Sequence, residues 1–315
     1  NKLNILDCTL RDGGYYNNWY FKKELINEYL RVMDNIKVDY VEIGFRFIDK
    51  IKTKGPTAYS DESFLKSLKI PKGLKIGIMI NAADFVNSKN IIDLAKKNFK
   101  LKKDSLISLV RIACHYEEIK EITPLVNWLK SSGYKVGINI MQIPELSTKE
   151  IKNSVLQIQK SNADILYFAD SLGSLDPIKT NKIIRLLKLK WKKDMGIHTH
   201  DNMGKALENS LEAIKSKVNW IDCTVTGMGR GPGNTQTEYL ILELKREIVK
   251  KEKVIDLLTL IKNYFEPLKK KYKWGSNPFY YFAGLNSIHP SFVQQMLSNE
   301  SFQPEDIFSN LNYLR

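Results

Sequence analysis

Short apolar, β-branched runs alternate along this chain with longer segments whose apolar positions recur at i, i+3 and i+4, the pattern of a parallel sheet with crossover helices. Eight runs read as strands: Leu3–Thr9, Tyr40–Gly44, Leu74–Ile80, Leu106–Ile112, Lys135–Ile140, Ile165–Phe168, Gly196–His200 and Trp220–Val225. Between the first two, Leu25, Ile26, Tyr29, Leu30 and Met33 keep one helical stripe, which predicts a helix starting near Lys22. Ser147 and Glu150 have capping-box spacing ahead of Ile151, Val155 and Ile158, so another helix should start near Thr148. Gly133 closes a helix holding Val126 and Leu129, whose Pro124 predicts a late start or a kink. Asp176-Pro177 suits a first helical turn.

Eight β/α units in about 250 residues match a closed (β/α)8 TIM barrel of the α/β class. A doubly wound open sheet is the rival, weakened because no Gly-x-Gly-x-x-Gly follows the first strand. After Lys250 the alternation stops, and the stretch to Arg315 reads as helical, with an aromatic cluster at Phe279-Tyr280-Tyr281-Phe282. The expected organisation is therefore a barrel domain over 1–250 and a helical extension over 251–315, packed on the barrel.

Composition narrows the class further. With 43% hydrophobic and 27% charged residues, and no apolar run near the roughly 20 residues needed to cross a bilayer, the chain reads as a soluble globular protein with no membrane partner. Asn1 opens no signal sequence and is not Met, so a longer native chain stays open. Three cysteines, Cys8, Cys114 and Cys223, cannot all pair, and they fit buried thiols in a reducing cytoplasm. The net charge of +14 comes mostly from Lys scattered along helical segments, without aromatic interleaving, which reads as a solvated surface rather than a nucleic-acid face. Acidic or phosphorylated substrates are a secondary reading of that charge.

The chemistry concentrates at His198-Thr199-His200-Asp201-Asn202. Residues i and i+2 of an extended segment point the same way, so the two imidazoles leave the backbone side by side, in the manner of metal ligands. A distant acidic partner is required, and Asp12 is the strong candidate. In a barrel the active site lies at the C-terminal strand ends. Polar residues there are Arg11 and Asp12, Glu42 within strand two, Asn81, Arg111 and His115, Asn139 and Gln142, Asp170 and Ser171, His198 and His200, and Asn234.

Four motifs in order then resemble one known group: Asp7-Cys8-Thr9-Leu10-Arg11-Asp12-Gly13, Val41-Glu42-Ile43-Gly44-Phe45, His198-Thr199-His200-Asp201, and Gly227-Met228-Gly229-Arg230-Gly231-Pro232-Gly233-Asn234. Together they resemble the DRE-TIM metallolyases, the superfamily of 4-hydroxy-2-oxovalerate aldolase, HMG-CoA lyase and the isopropylmalate and homocitrate synthases. The likeness runs from about residue 3 to 245. It implies that Asp12, His198 and His200 hold one divalent ion, with Asn234 as a weak or outer ligand. Mixed oxygen and nitrogen donors suit Mn²⁺ or Mg²⁺, with Co²⁺ or Zn²⁺ as alternatives. It further implies that Arg11 bonds a developing enolate oxygen while Glu42 holds Arg11; the plainer reading of the two is a buried ion pair under the site.

The sequence departs from the family in two places. Where aldolase relatives carry a His three residues after the metal-binding Asp, this chain has Tyr15, so the proton acceptor is Tyr15 or His115. No Cys stands between Gly227 and Asn234, against the lyase route. The glycine run lacks a P-loop ending and reads as a mobile lid hinge, with Arg230 for a carboxylate or phosphate. Arg111, Asn139 and Ser171 complete the expected substrate contacts, and Tyr281 either covers the site mouth or packs the helical tail.

The resulting expectation is a metal-dependent aldolase-type lyase acting between a pyruvate-like 2-oxo acid and an aldehyde, as a homodimer or part of a longer chain. A Claisen-type acyl-CoA synthase is the first rival. A non-catalytic ligand-binding barrel is the second, and the intact Asp12, His198 and His200 argue against it.

Overall fold

The structure, a computed structural model, describes residues 2–244 and 251–315. Eight parallel strands pair in sequence order: β1 (Asn4–Asp7), β2 (Tyr40–Phe45), β3 (Lys75–Asn81), β4 (Ile107–Cys114), β5 (Lys135–Ile140), β6 (Ile165–Asp170), β7 (Asp194–Thr199) and β8 (Trp220–Cys223). β8 returns to β1, from Trp220 opposite Asn4 to Cys223 opposite Asp7, so the sheet is closed. The open-sheet alternative is excluded, and each of the eight expected runs overlaps one strand.

Alternation along each strand sorts residues into two environments. On β4, Val110, Ile112 and Cys114 face outward into the main core under the helices, while Leu109 joins a separate cluster inside the barrel with Tyr40, Ile165, Tyr167 and Trp220. Tyr167 fits into that interior cluster because one neighbour has no side chain. A Cβ on Gly196 would lie 2.2 Å from the Tyr167 ring, whereas one on Gly137 would make only ordinary contact at 3.5 Å. Above the ring sits the Arg111 guanidinium, 4.5 Å from its centroid. The barrel thus has an apolar floor, a charged middle layer and a polar mouth.

Several helices follow the sequence signals closely. The Lys23–Asn35 helix buries the expected stripe, Ser147 and Glu150 form a reciprocal capping box on Thr148–Ile158, and Asp176 caps Pro177–Lys188. The Pro124 helix differs from expectation. It spans Thr123–Ser131 with the proline in its first turn, where a missing N–H costs nothing, so it neither starts late nor kinks. One helix is unforeseen: Thr9–Asn17 follows β1 directly and carries Arg11 and Asp12. Gly13 and Gly14 argue against a helix by propensity, but packing overrides it. Added Cβ atoms there would meet Met228 Sδ at 2.6 Å and the Trp19 ring at 2.1 Å.

The boundary expected at residue 250 falls within 245–250, outside the described residues. Beyond it, the Lys251–Leu260 helix docks on Lys23–Asn35, with Asp256 accepting from Arg31 Nη1 at 3.1 Å and Asn35 Nδ2 at 2.9 Å. The last helices, Pro278–Leu285, Pro290–Ser298 and Pro304–Tyr313, build a small core of their own around Tyr280, Ile288, Val293 and Leu311. They reach the barrel mouth where Gly284 passes Gly173 and Asn202 too closely for any side chain. Cys8, Cys114 and Cys223 are buried free thiols, and no helix among the described residues is long and apolar enough to cross a membrane.

Candidate active site

At the C-terminal mouth lies a cavity of about 360 Å³ whose lining includes His115, His198, His200 and His289. These are all four histidines of the chain. His198 comes from the end of β7 and His200 from two residues further, so both point inward as strand alternation requires. Asp12 enters from the first helix after β1, and one ligand atom each from Asp12, His198 and His200 lie within 4.8 Å of one another.

The imidazole protons are fixed by what stands behind the rings. His198 Nδ1 is 2.9 Å from Asp222 Oδ2, and His200 Nδ1 is 2.7 Å from the Asp170 carbonyl oxygen. Since a carbonyl only accepts, His200 carries its proton on Nδ1, and the carboxylate favours the same tautomer in His198. Both Nε2 lone pairs then face the site, the outer-shell arrangement that metal-ligating histidines require. Burial and the neighbouring His198 bring His200 down to about 3, so it is a neutral donor. Burial opposes ionisation of Asp12 as well, but Arg11 and the imidazoles outweigh it and hold its carboxyl well below the usual range.

Under these ligands runs a closed circuit of buried charge. Arg11 Nη1 donates to Asp12 Oδ1 at 2.9 Å and its Nε to Glu42 Oε1 at 2.7 Å. Glu42 also accepts from Arg111 Nε at 2.6 Å and Nη2 at 2.8 Å, and Arg111 Nη1 donates to Asp222 Oδ2 at 2.7 Å. Asp222 meets His198, whose Nε2 is 3.5 Å from Asp12. Three carboxylates against two guanidiniums leave this ring one negative charge. Burial disfavours a charged His198, yet Asp12 and Asp222 raise its pKa, as expected of a ring short of one positive charge.

The donor set therefore fits a divalent cation: two imidazole nitrogens and a carboxylate oxygen over a ring that gains from added positive charge. Asn234 Nδ2 lies 2.7 Å from Asp12 Oδ2 and 3.0 Å from His198 Nε2, and its Oδ1 is buried without a partner among the described residues. Arg11 Nη2 is likewise buried and unpaired there. Such orphaned atoms cost about 1–3 kcal/mol each unless something joins them.

A family model described as HMGL-like matches residues 105–263, half of the chain. A solved structure, the N-terminal domain of a candidate aldolase from Bacteroides vulgatus, is 30% identical and superposes with a TM-score of 0.82 over 98% of this chain and 100% of that one. The chain belongs to the HMGL-like family. It is thus a DRE-TIM metallolyase and an enzyme, a carbon–carbon lyase of a family whose aldolases depend on divalent metal. The 4-hydroxy-2-oxovalerate aldolase of Carboxydothermus hydrogenoformans is 27% identical over 78% of this chain and 71% of its own length. An oxaloacetate decarboxylase of Mycobacterium tuberculosis is 25% identical over 77% and 70%. The hydroxymethylglutaryl-CoA lyase of Pseudomonas aeruginosa shares the fold, with a TM-score of 0.64 at 17% identity over 86% of this chain and 98% of its own.

Within this HMGL-like site the structure gathers most residues singled out from sequence. Arg11, Asp12, Tyr15, His115, Asn139, Ser171, His198, His200 and Arg230 line the cavity. Glu42 and Arg111 lie beneath it, fully buried, so Arg111 is placed to hold Glu42 and Asp222 rather than substrate. Tyr281 is outside the cavity lining and 44% exposed on its helix. Its neighbour Tyr280 is the buried residue at the mouth, and His289 and Pro290 bring the tail to the cavity instead.

The glycine run, expected as a mobile lid hinge, is tied to its surroundings by backbone bonds. Gly233 O accepts from Asp201 N at 2.8 Å, Gly227 O from Asn234 N at 3.2 Å, and Gly231 O from Gly275 N at 3.1 Å, which pins the loop at both ends and its middle. Gly229 leaves room for the site itself, since a Cβ would stand 2.0 Å from Asn234 Oδ1 and 3.0 Å from Asp12 Oδ2. Arg230 leaves the loop to lie over the Tyr15 ring, 4.3 Å from its centroid.

Sequence reasoning missed Asp222 and His289. The first had a signal: a carboxylate inside the buried run Trp220–Cys223 needs a charged partner. His289 lies in a helical tail with no motif, and only its rarity, one of four histidines, marks it.

Proposed function

We propose that this enzyme makes or breaks the carbon–carbon bond between a pyruvate-like 2-oxo acid and an aldehyde, with Mn²⁺ or Mg²⁺ at Asp12, His198 and His200. The observation that carries the reading is Arg11: its Nε and Nη1 are taken by Glu42 and Asp12, while its buried Nη2 has no partner among the described residues, beside three metal-type ligands. That is the arrangement for receiving an oxygen that becomes negative during reaction. The similarity to 4-hydroxy-2-oxovalerate aldolases supports the same substrate class.

A divalent cation, when bound, supplies charge to neutralise an enolate oxygen and to orient a 2-oxo acid. The chain's own residues do the rest. Arg11 donates to the enolate oxygen, and the fork of Glu42 and Asp12 on its other nitrogens keeps the guanidinium from following the substrate. Asp222 and the Asp170 carbonyl keep the two Nε2 atoms unprotonated. Asn139, whose Oδ1 is buried without a partner among the described residues, and Ser171 offer polar contacts to the bound acid. Tyr15 and His115 are the side chains assigned to proton removal, and Tyr15→Phe against His115→Gln separates them.

The deciding test is exchange of pyruvate methyl protons into D₂O by the purified protein with Mn²⁺. Exchange is expected without any aldehyde; its absence with pyruvate and with other 2-oxo acids overturns the reading. Consumption of acetyl-CoA with release of free thiol would instead identify a Claisen-type synthase. The resemblance to an oxaloacetate decarboxylase favours a second reading, since loss of CO₂ from oxaloacetate leaves the same enolate. Decarboxylation faster than any aldol reaction would establish it. Titration with Mg²⁺, Co²⁺ and Zn²⁺ in the exchange assay assigns the metal.

A further inference from the structure

The helix Pro290–Ser298 presents an unusual face to the mouth of the site. Ser291, Gln294, Gln295 and Ser298 are spaced i, i+3, i+4 and i+7, so they lie on one side, and with Tyr15 and Arg230 they line a cavity of about 310 Å³. Tyr15 and Arg230 also line the cavity over the metal-type ligands, so the two spaces adjoin. In a chain with 27% charged residues this helical face carries none. No hydrogen bond among the described residues engages the Gln294 or Gln295 amides. The opposite side of the helix, Val293 and Met296, is locked in the core of the tail, which fixes the polar face in place.

His289 joins this face to the reacting centre. Its Nδ1 accepts from the Ser291 backbone N–H at 3.2 Å, capping the helix, and lies 2.7 Å from the Ser291 hydroxyl. A backbone N–H only donates, so the neutral ring has its proton on Nε2. The ring lines the cavity that holds Asp12, His198 and His200.

We infer that the Ser291–Ser298 face is the subsite for the aldehyde, that this aldehyde carries hydroxyl groups beyond its reacting carbon, as an open-chain sugar does, and that His289 Nε2–H donates to its carbonyl oxygen. The inference rests on the aldol reading above. Amides and hydroxyls both donate and accept, as sugar hydroxyls do, whereas an alkyl tail would leave them unpaired. His289 keeps its proton throughout: the enolate carbon bonds to the aldehyde carbon, the carbonyl π pair moves onto the oxygen that His289 holds, and that oxygen takes back the proton removed from the pyruvate methyl group by Tyr15 or His115.

Two four-carbon aldehydes test this with Mn²⁺ and pyruvate. D-erythrose should exceed butanal in kcat/KM by about tenfold or more, and Q294A/Q295A should bring the two together. Saturation-transfer NMR with D-erythrose, which needs no turnover, should lose its signal in the same variant. His289→Asn keeps the cap but not the reach, and should slow bond formation at least about tenfold more than methyl-proton exchange, with His289→Gln recovering part of the loss. Equal use of both aldehydes by the unaltered enzyme, or a preference and NMR signal that survive Q294A/Q295A, would overturn the subsite. Bond formation and exchange slowed alike in His289→Asn would overturn the role of His289. Should pyruvate exchange fail, the aldol reading falls, and the NMR comparison still decides whether hydroxylated ligands use this face.

Discussion

Asp222 Oδ2 stands 2.9 Å behind His198 Nδ1, so a carboxylate in the last strand sets which nitrogen of a β7 imidazole faces the mouth. Asp222→Asn should weaken Mn²⁺ binding by about 10–100-fold while leaving the three ligand side chains untouched. Calorimetric titration reads this directly. Affinity equal to that of the unaltered protein would show that Asp222 serves Arg111 alone.

Arg11→Lys tests geometry rather than charge. An ammonium on a flexible stem cannot hold Glu42 and Asp12 as a guanidinium does and still present a third nitrogen. Turnover should fall by about 10²–10³ with the charge preserved. A loss below threefold would mean that Arg11 is a structural ion pair only.

Metal removal should act on stability as well as turnover, because the ring beneath the ligands carries three carboxylates and two guanidiniums. Treatment with a chelator should abolish turnover and lower Tm, and Mn²⁺ should restore both, in the manner of any ligand that binds only the folded chain. Unchanged melting with and without saturating Mn²⁺ would count against a buried cation site.

Glycine substitutions separate crowding from backbone conformation. Gly14→Ala places a Cβ 2.1 Å from the Trp19 ring, whose Nε1 donates to the Arg11 carbonyl at 2.9 Å, so it should cost about 1–3 kcal/mol and disturb Arg11. Gly204 has φ +68° with nothing within 4 Å of an added Cβ, and Gly204→Ala should cost only about 1–2 kcal/mol, with turnover retained. Urea unfolding and kcat measured on both variants check the contrast.

Burial pushes the Asp170 carboxyl from its ordinary 3.8 up to about 7, against backbone N–H bonds from Leu175 and Ser174. A raised acid pKa means that the folded chain binds more protons than the unfolded one between those values. Its contribution to stability is complete below about pH 4 and lost as pH rises towards 7. For chelator-treated protein, urea unfolding should show this decline in the unaltered chain and a flatter profile in Asp170→Asn, whatever the offset between them. Parallel profiles would assign the pH dependence to other groups.

The barrel was legible because its strands are short apolar runs at regular spacing, a signal that needs no knowledge of partners. Capping at Ser147 and Asp176 was legible for the same local reason. What stayed hidden depends on contacts between distant residues. The Thr9–Asn17 helix contains two glycines that propensity rejects and that Met228 and Trp19 demand. Arg111 is expected at the substrate because the apolar run ends at Ile112, but β4 continues to Cys114, which leaves Arg111 below the mouth against Glu42 and Asp222. The loop after β8 reads as flexible from its glycines, and its bonds to Asp201 and Gly275 join residues too distant in sequence to be read from it.

The Tyr167 ring, admitted by Gly196 and topped by Arg111, plugs the barrel below the reacting centre. A dead-end pocket imposes a queue: the partner that sits deeper must arrive first and depart last. With the 2-oxo acid deeper and the aldehyde nearer the mouth, as proposed above, product-inhibition patterns should show a compulsory order, with the shallower molecule acting as the stopper.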